Sequence, residues 1–179
     1  MKKRIFVGIS IPEHTQKLLT QSCKEWQDLP ISWTKQDSLH VTVLFIGSAT
    51  DEEAVEICDN VRQIAREHNP FDLEFNKLDV NSRMVWATGQ ESKELAGLKN
   101  SLERQIFEMH PRHIIHAENP IIPHITLGRI RTLFWKKLEN PPEIKKDLKF
   151  LIPVDSIEVM ESKATKEGME YVVLESVLL

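Results

Sequence analysis

Residues 4–11, RIFVGISI, are an almost unbroken β-branched and apolar run, the pattern of a strand buried on both faces. Pro12 suits the first turn of a helix, where its missing N–H is no loss, and Leu18, Leu19, Ser22 or Cys23, and Trp26 then share one helical stripe. PISW (30–33) and SLHVTVLFIG (38–47) predict strands. Thr50-Asp-Glu-Glu53 has the form of a capping box, and Ala54, Ile57, Val61, Ile64 and Ala65 follow at helical spacing, so a helix is expected from about Asp51 to Glu67. FDLEFNKLDV (71–80) alternates as a half-exposed strand does, with RMVWAT (83–88) as its partner. A helix from Ser92 places Leu95, Leu98, Leu102, Ile106 and Met109 on one face until Pro111 ends it.

HITLGRI (124–130) reads as another strand, and NPPEIKKD (140–147) as a loop or short helix. Phe150–Met160 and Met169–Leu178 are expected to be two strands joined by the polar loop ESKATKEG (161–168). Strands recur beside one another without strict βαβ alternation, and no Gly-rich or Pro-rich linker divides the chain. The expected fold is therefore α+β with antiparallel sheets, as one domain over residues 1–179.

Two of these strands carry the same pattern. In HVTVLFIG (40–47) and HITLGRI (124–130) a histidine stands two residues before a threonine. Strand side chains alternate faces, so His40 and Thr42 point one way and Val41 the other, and likewise His124 and Thr126 against Ile125. A single His-x-Thr on a strand means little, since a histidine in an apolar run is usually a core residue bonded to backbone. Two copies 84 residues apart, close to half the chain of 179, suggest two similar lobes whose motif strands face each other across a cleft. Two imidazoles flanking a phosphodiester can serve as general base and general acid near neutrality, with threonine hydroxyls donating to its non-bridging oxygens.

Charge and cysteine content narrow the partners. The formal charge of −4 excludes a duplex binder held by a broad basic field, so a phosphate has to be gripped locally. Cys23 and Cys58, the only cysteines, both fall in segments that read as helices, which argues against a disulfide scaffold and for a reducing cytoplasm. The basic tip and apolar run of MKKRIFVGISIPEH lead at once to Pro12, Glu13 and His14, the pattern of a first strand and not of a signal peptide. No stretch approaches the roughly 20 apolar residues of a membrane span.

The chain resembles the 2H phosphoesterases, named for paired His-x-Thr (HXTX) motifs, and within them the bacterial and archaeal RNA 2′,3′-cyclic phosphodiesterases, also called 2′-5′ RNA ligases. RIFVGISIP, SWTKQDSLHVTVLFIG, RMVWATG and PHITLGRI fall in that family's order, so the resemblance covers nearly the whole chain. It implies a two-lobed, pseudo-symmetric α+β fold around a central cleft, and metal-independent hydrolysis of 2′,3′-cyclic phosphate RNA ends to 2′-phosphomonoesters. His40 would be the proton donor and His124 the proton acceptor, with Thr42, Thr126 and Arg129 binding substrate. Strand parity turns Arg129 away from His124 and Thr126, although Gly128 before it can mark a bulge or a strand end that re-aims it. No cofactor and no metal are expected; the partners are RNA ends or nucleotides bearing the cyclic phosphate, the protein does not engage a membrane, and a monomer is expected.

Three rival readings stand beside this one. The same site run backwards is a 2′-5′ RNA ligase. An RNA-end binding module would hold cyclic-phosphate ends and release them unchanged. A metallohydrolase would use the histidines as ligands, but neither motif contains an acidic residue to complete a mixed ligand set. His110, His113 and His116 recur every third residue, yet Pro111 breaks the helix that would align them, so a solvated loop is the plainer reading. Trp86 and Trp135 are of the type that stacks on bases in single-strand binders, but a core or lobe-interface place is expected for both. EIKKDLK (143–149) reads as a solvated face.

Overall fold

The computed structural model describes residues 2–81, 83–110, 122–165 and 168–179. In chain order the elements are β1 (Lys3–Ser10), α1 (Glu13–Ser22), β2 (Ile31–Trp33), β3 (His40–Ala49), α2 (Asp51–Ala65), β4 (Phe71–Asn81), β5 (Met84–Gly89), α3 (Lys93–Met109), β6 (His124–Ile130), α4 (Thr132–Trp135), β7 (Lys146–Val154), β8 (Ser156–Thr165) and β9 (Gly168–Leu178). The α+β antiparallel architecture expected from the sequence is the one found: a curled sheet of nine strands in the order β7-β4-β5-β6-β3-β1-β8-β9, with β2 added beside β6.

The centre of that order positions the site. β3 and β6 each begin at a motif histidine, and they are joined by the single antiparallel pair Val41 and Ile125. From this junction four strands extend on each side, β6-β5-β4-β7 one way and β3-β1-β8-β9 the other. Val41 and Ile125 are fully buried in one continuous core with the apolar stripes of α2 and α3. Ile57 and Val61 of α2, with Leu98 and Leu102 of α3, are likewise fully buried, each contributing roughly 1.5–3 kcal/mol. The capping box forms as read: Glu53 N–H donates to Thr50 Oγ1 at 3.2 Å and Thr50 N–H to Glu53 Oε2 at 2.7 Å. Ser92 caps α3 with its hydroxyl alone, accepting from Leu95 N–H at 3.1 Å.

Several expectations are corrected. Phe150–Met160 is not one strand but parts of two, broken at Asp155. Phe150 stacks on Phe75 with ring centroids 5.0 Å apart, so β7 closes the outer edge of β4, whereas β8 pairs with β1 in the other half. EIKKDLK is therefore not only a solvated face, since Lys146–Lys149 open β7. The polar ESKATKEG stretch is mostly ladder, because β8 runs to Thr165 and β9 starts at Gly168. Leu18 is 41% exposed; the buried stripe uses Thr15 and Leu19, then Cys23 and Trp26 beyond the last turn of α1. Pro12 stands just before the helix, its carbonyl accepting from Thr15 and Gln16, and Cys23 caps the C-terminus instead of lying inside it. His113, His116 and Pro111 lie outside the described residues.

Candidate active site

The Val41–Ile125 pair sets the geometry of both motifs. In an antiparallel ladder the residues flanking a pair stand opposite one another, so His40 faces Thr126 and Thr42 faces His124. The two imidazoles are then diagonal neighbours on the face away from the helices, at positions whose Cα atoms typically lie about 7–8 Å apart.

Each imidazole is aimed by its own strand's lead-in. His40 Nδ1 lies 2.9 Å from the carbonyl of Ser38, and His124 Nδ1 lies 3.1 Å from the carbonyl of Ile122, in both cases two residues upstream. A carbonyl can only accept, so Nδ1 carries a proton in each ring and Nε2 is left to gain or lose the reactive one. Thr42 and Thr126 are partly exposed on the same face, and neither hydroxyl has a hydrogen-bond partner among the described residues.

The surroundings of the two histidines differ. Phe6 and Tyr171 close on the His40 ring, with centroids 5.0 and 4.6 Å away, whereas His124 packs on Trp86 at 4.9 Å. Burial pulls the His40 pKa below its ordinary 6.5; the Ser38 carbonyl acts against this, and charge on His124 adds to the lowering. The reach of His124 to His40 puts the two imidazoles in one electrostatic site. In the free protein burial therefore favours the neutral form of His40.

Arg129 joins the same face through a bulge. Trp86 pairs with Thr126 but Val85 pairs with Gly128, so Leu127 is an extra residue on β6. The shift resets the alternation, and Arg129, opposite Met84, turns to the side of Thr126. Gly128 makes room for it: a Cβ there would meet Ile31 Cγ2 at 2.7 Å and Trp33 Cε3 at 3.0 Å, the residues by which β2 covers β6. Burial raises the Tyr171 phenol pKa and Arg129 works against the rise, so the guanidinium's field reaches the ring that covers His40.

The first half repeats the irregularity. Gly8 pairs with Thr42 and Val7 with Leu44, which makes Val43 the extra residue on β3. The position matching Arg129 is then Phe45, which pairs with Phe6 and is 56% exposed. One motif strand thus ends in a cation and the other in an open aromatic ring.

Reading the sequence brought His40, Thr42, His124 and Thr126 to one place; of the two devices it offered for re-aiming Arg129, a bulge or a strand end, the structure has the bulge. It missed Tyr171, the chain's only tyrosine, which arrives from β9 by the strand order alone. It also missed Thr88, directly across from His124, whose buried hydroxyl has no hydrogen-bond partner among the described residues. Trp86 lies within the site against His124, while Trp135 is half-buried and packs on the core. Among the described residues no group of three or more His, Cys, Asp or Glu is placed to hold a metal ion. No described helix is long and apolar enough to cross a membrane.

Comparison with known proteins bears out the resemblance. Residues 9–86, which include the first motif, match the family model described as LigT like Phosphoesterase. The chain is 25% identical to the RNA 2′,3′-cyclic phosphodiesterase of Aquifex aeolicus, over 98% of this chain and 97% of that one. It is 24% identical to the protein of the same name from Methanocaldococcus jannaschii, over 96% and 98% of the two chains. Its fold matches a crystal structure from Thermus thermophilus with a TM-score of 0.82 at 22% identity, over 98% and 97% of the chains. It also matches E. coli LigT complexed with 3′-AMP, with a TM-score of 0.79 at 20% identity, over 100% and 99%.

Proposed function

We propose that this LigT-like chain hydrolyses 2′,3′-cyclic phosphate ends of RNA to 2′-phosphomonoesters, without a metal, by two-histidine acid and base catalysis. The observation that carries the reading is the junction at Val41 and Ile125, which sets two carbonyl-oriented imidazoles as diagonal neighbours on one face of the sheet. In-line displacement needs the attacking and leaving oxygens on opposite sides of phosphorus, and diagonal imidazoles meet that need. Nε2 of His124 takes a proton from water as its oxygen bonds to phosphorus. The bond from phosphorus to the 3′ oxygen breaks, and His40 delivers its Nε2 proton to that oxygen. Thr42, Thr126 and Arg129 hold the non-bridging oxygens, where negative charge grows. The lowered pKa of His40 makes its cation a stronger acid than a free imidazolium, and an arriving phosphate anion favours the protonated form.

Similarity to proteins named RNA 2′,3′-cyclic phosphodiesterase supports the substrate class, as does the likeness to E. coli LigT, whose crystal structures hold 3′-AMP, NADP+ and ATP. The exposed ring of Phe45 is a seat for the nucleobase, opposite the cation at Arg129. We read the chain as one domain of two similar halves, acting as a monomer. Free thiols at Cys23 and Cys58 suit the cytoplasm.

Phosphorus NMR of the product from a 2′,3′-cyclic nucleotide, with EDTA present, tests the reading; the expected product is the 2′-phosphate. A 3′-phosphate would reverse the docking of the ribose, loss of turnover in EDTA would revive the metallohydrolase, and tight binding without turnover would make the chain an end-binding module. Reverse ligation uses the same groups, but water at high concentration drives net hydrolysis. A leaving group that needs no protonation tests the two roles: activity should recover in His40→Ala and not in His124→Ala.

A further inference from the structure

The stretch that follows β6 has a composition unlike the rest of the molecule. Between Gly128 and Lys137 stand four cations, Arg129, Arg131, Lys136 and Lys137, and no carboxylate. The chain totals −4, so the residues outside this stretch sum to −4 − 4 = −8. None of the four cations forms a salt bridge with a described residue, whereas Arg62, Lys77 and Lys146 all do. In the middle of the stretch lies α4, a single helical turn. Its Thr132 and Trp135 are half-buried, while Leu133 and Phe134 are 79% and 54% exposed. The Arg131 guanidinium and the Lys137 ammonium lie 5.6 and 5.8 Å from the centre of the Phe134 ring. The backbone there is fixed: Arg131 N–H donates to the Pro30 carbonyl at 2.8 Å, and the Arg131 carbonyl accepts from Phe134 and Trp135 at 2.9 Å.

An exposed ring flanked by two unneutralised cations is the combination that binds single-stranded nucleic acid. The ring stacks on a base of any identity and the cations meet the phosphates on either side. Its place matters as much as its chemistry. β6 carries Thr126 and Arg129 into the cleft and leads directly to α4; at about 3.3 Å per strand residue, Arg131 lies about 16 Å from Thr126, the span of a few nucleotides.

We propose that α4 and its flanks, Arg131, Phe134 and Lys137, form a track for the RNA strand leading to the cyclic end, and so make the protein prefer oligonucleotides to cyclic mononucleotides. Phe134 stacks on a base upstream of the terminal one, and the two cations pair with the phosphates beside it. The inference rests on the cyclic phosphodiesterase reading of the cleft and adds a second contact region outside it.

The test compares kcat/KM on a 2′,3′-cyclic mononucleotide and on a tetranucleotide ending in the cyclic phosphate, over a range of salt. The wild-type chain should favour the tetranucleotide. Phe134→Ala should lower kcat/KM on the tetranucleotide about tenfold, the effect of losing one stacked base, and Phe134→Trp should preserve it. Arg131→Glu with Lys137→Glu should flatten the salt dependence of log(kcat/KM) by about 1.4, or roughly 0.7 for each lost phosphate contact on a single strand. Turnover of the mononucleotide should stay unchanged in all of these variants. Equal losses on both substrates would mean that α4 only supports the fold, and an unchanged tetranucleotide rate and salt slope would assign the patch to another partner; either result overturns the track. Failure of the wild-type chain on both substrates would overturn the reading of the cleft instead. Anisotropy of a labelled tetranucleotide then judges the track alone, with weakened binding in the variants supporting it and unchanged binding overturning it.

Discussion

Gly128→Ala separates the geometry of the bulge from the chemistry of Arg129. The added methyl would stand 2.7 Å from Ile31 Cγ2 and 3.0 Å from Trp33 Cε3, so β2 has to move off β6 or the bulge has to relax. Overpacking of this kind costs about 1–3 kcal/mol, and a chain of this size loses about 2–4 °C in Tm per kcal/mol, so a fall of about 2–12 °C is expected. Relaxing the bulge also restores ordinary alternation and turns Arg129 out of the cleft. A hydrogen bond to a charged group contributes about 1.5–3 kcal/mol, so Arg129→Met should lower kcat/KM about 10- to 150-fold. Gly128→Ala should cost part of the same amount. The decisive measurement is a double-mutant cycle: in the Arg129→Met background, Gly128→Ala should still lower the melting temperature but take little more from kcat/KM. Fully additive losses in kcat/KM would mean that the glycine acts through something other than the arginine, and would refute the link between bulge and phosphate.

His40→Ala and His124→Ala should each lower kcat by about two to four orders of magnitude with folding intact, and the double variant should be little worse, as steady-state kinetics and circular dichroism will show. The pH–rate profile should be bell-shaped, with limbs that belong to the pair, because one imidazole must be neutral while the other is protonated; a rate still climbing in alkali would speak against an enzymic acid. The folded pKa of His40 is lowered, so between that value and the unfolded 6.5 the unfolded chain binds more protons. Its contribution to stability is therefore full above pH 6.5 and is lost as the pH falls through the folded value, which denaturant titrations at pH 7.5 and 5.5 with and without His40→Ala will detect. Tyr171→Ala should open His40 to water and raise its pKa toward 6.5, since burial is the largest cause of the lowering, and proton NMR of the imidazole reads this directly.

The sequence displayed the histidines and threonines because strand parity needs no tertiary knowledge. His40 and Thr42 share a face wherever β3 goes. The coming together of the two motifs was legible only as a repeat, and the pairing of Val41 with Ile125 is what makes the repeat a site. Bulges are harder, since Val43 and Leu127 are ordinary apolar residues and only Gly128 hinted at one of the two. Tyr171 and Phe6 reach His40 from strands set by long-range pairing, which no local pattern encodes. The misread tail has a similar cause: an apolar run continues past Asp155, and what separates β7 from β8 is the choice of neighbour, Phe75 on one side and β1 on the other.

The lone pair at the centre of the sheet has a further consequence. Val41 and Ile125 face the core, yet their pairing sets the spacing of the two motif histidines on the opposite face. A methylene added or removed there reaches the chemistry as a change in jaw width instead of a change in chemical groups. On the two-histidine reading, Ile125→Val should therefore change kcat while leaving every group that faces the ligand in place, an effect that a search confined to those groups would overlook.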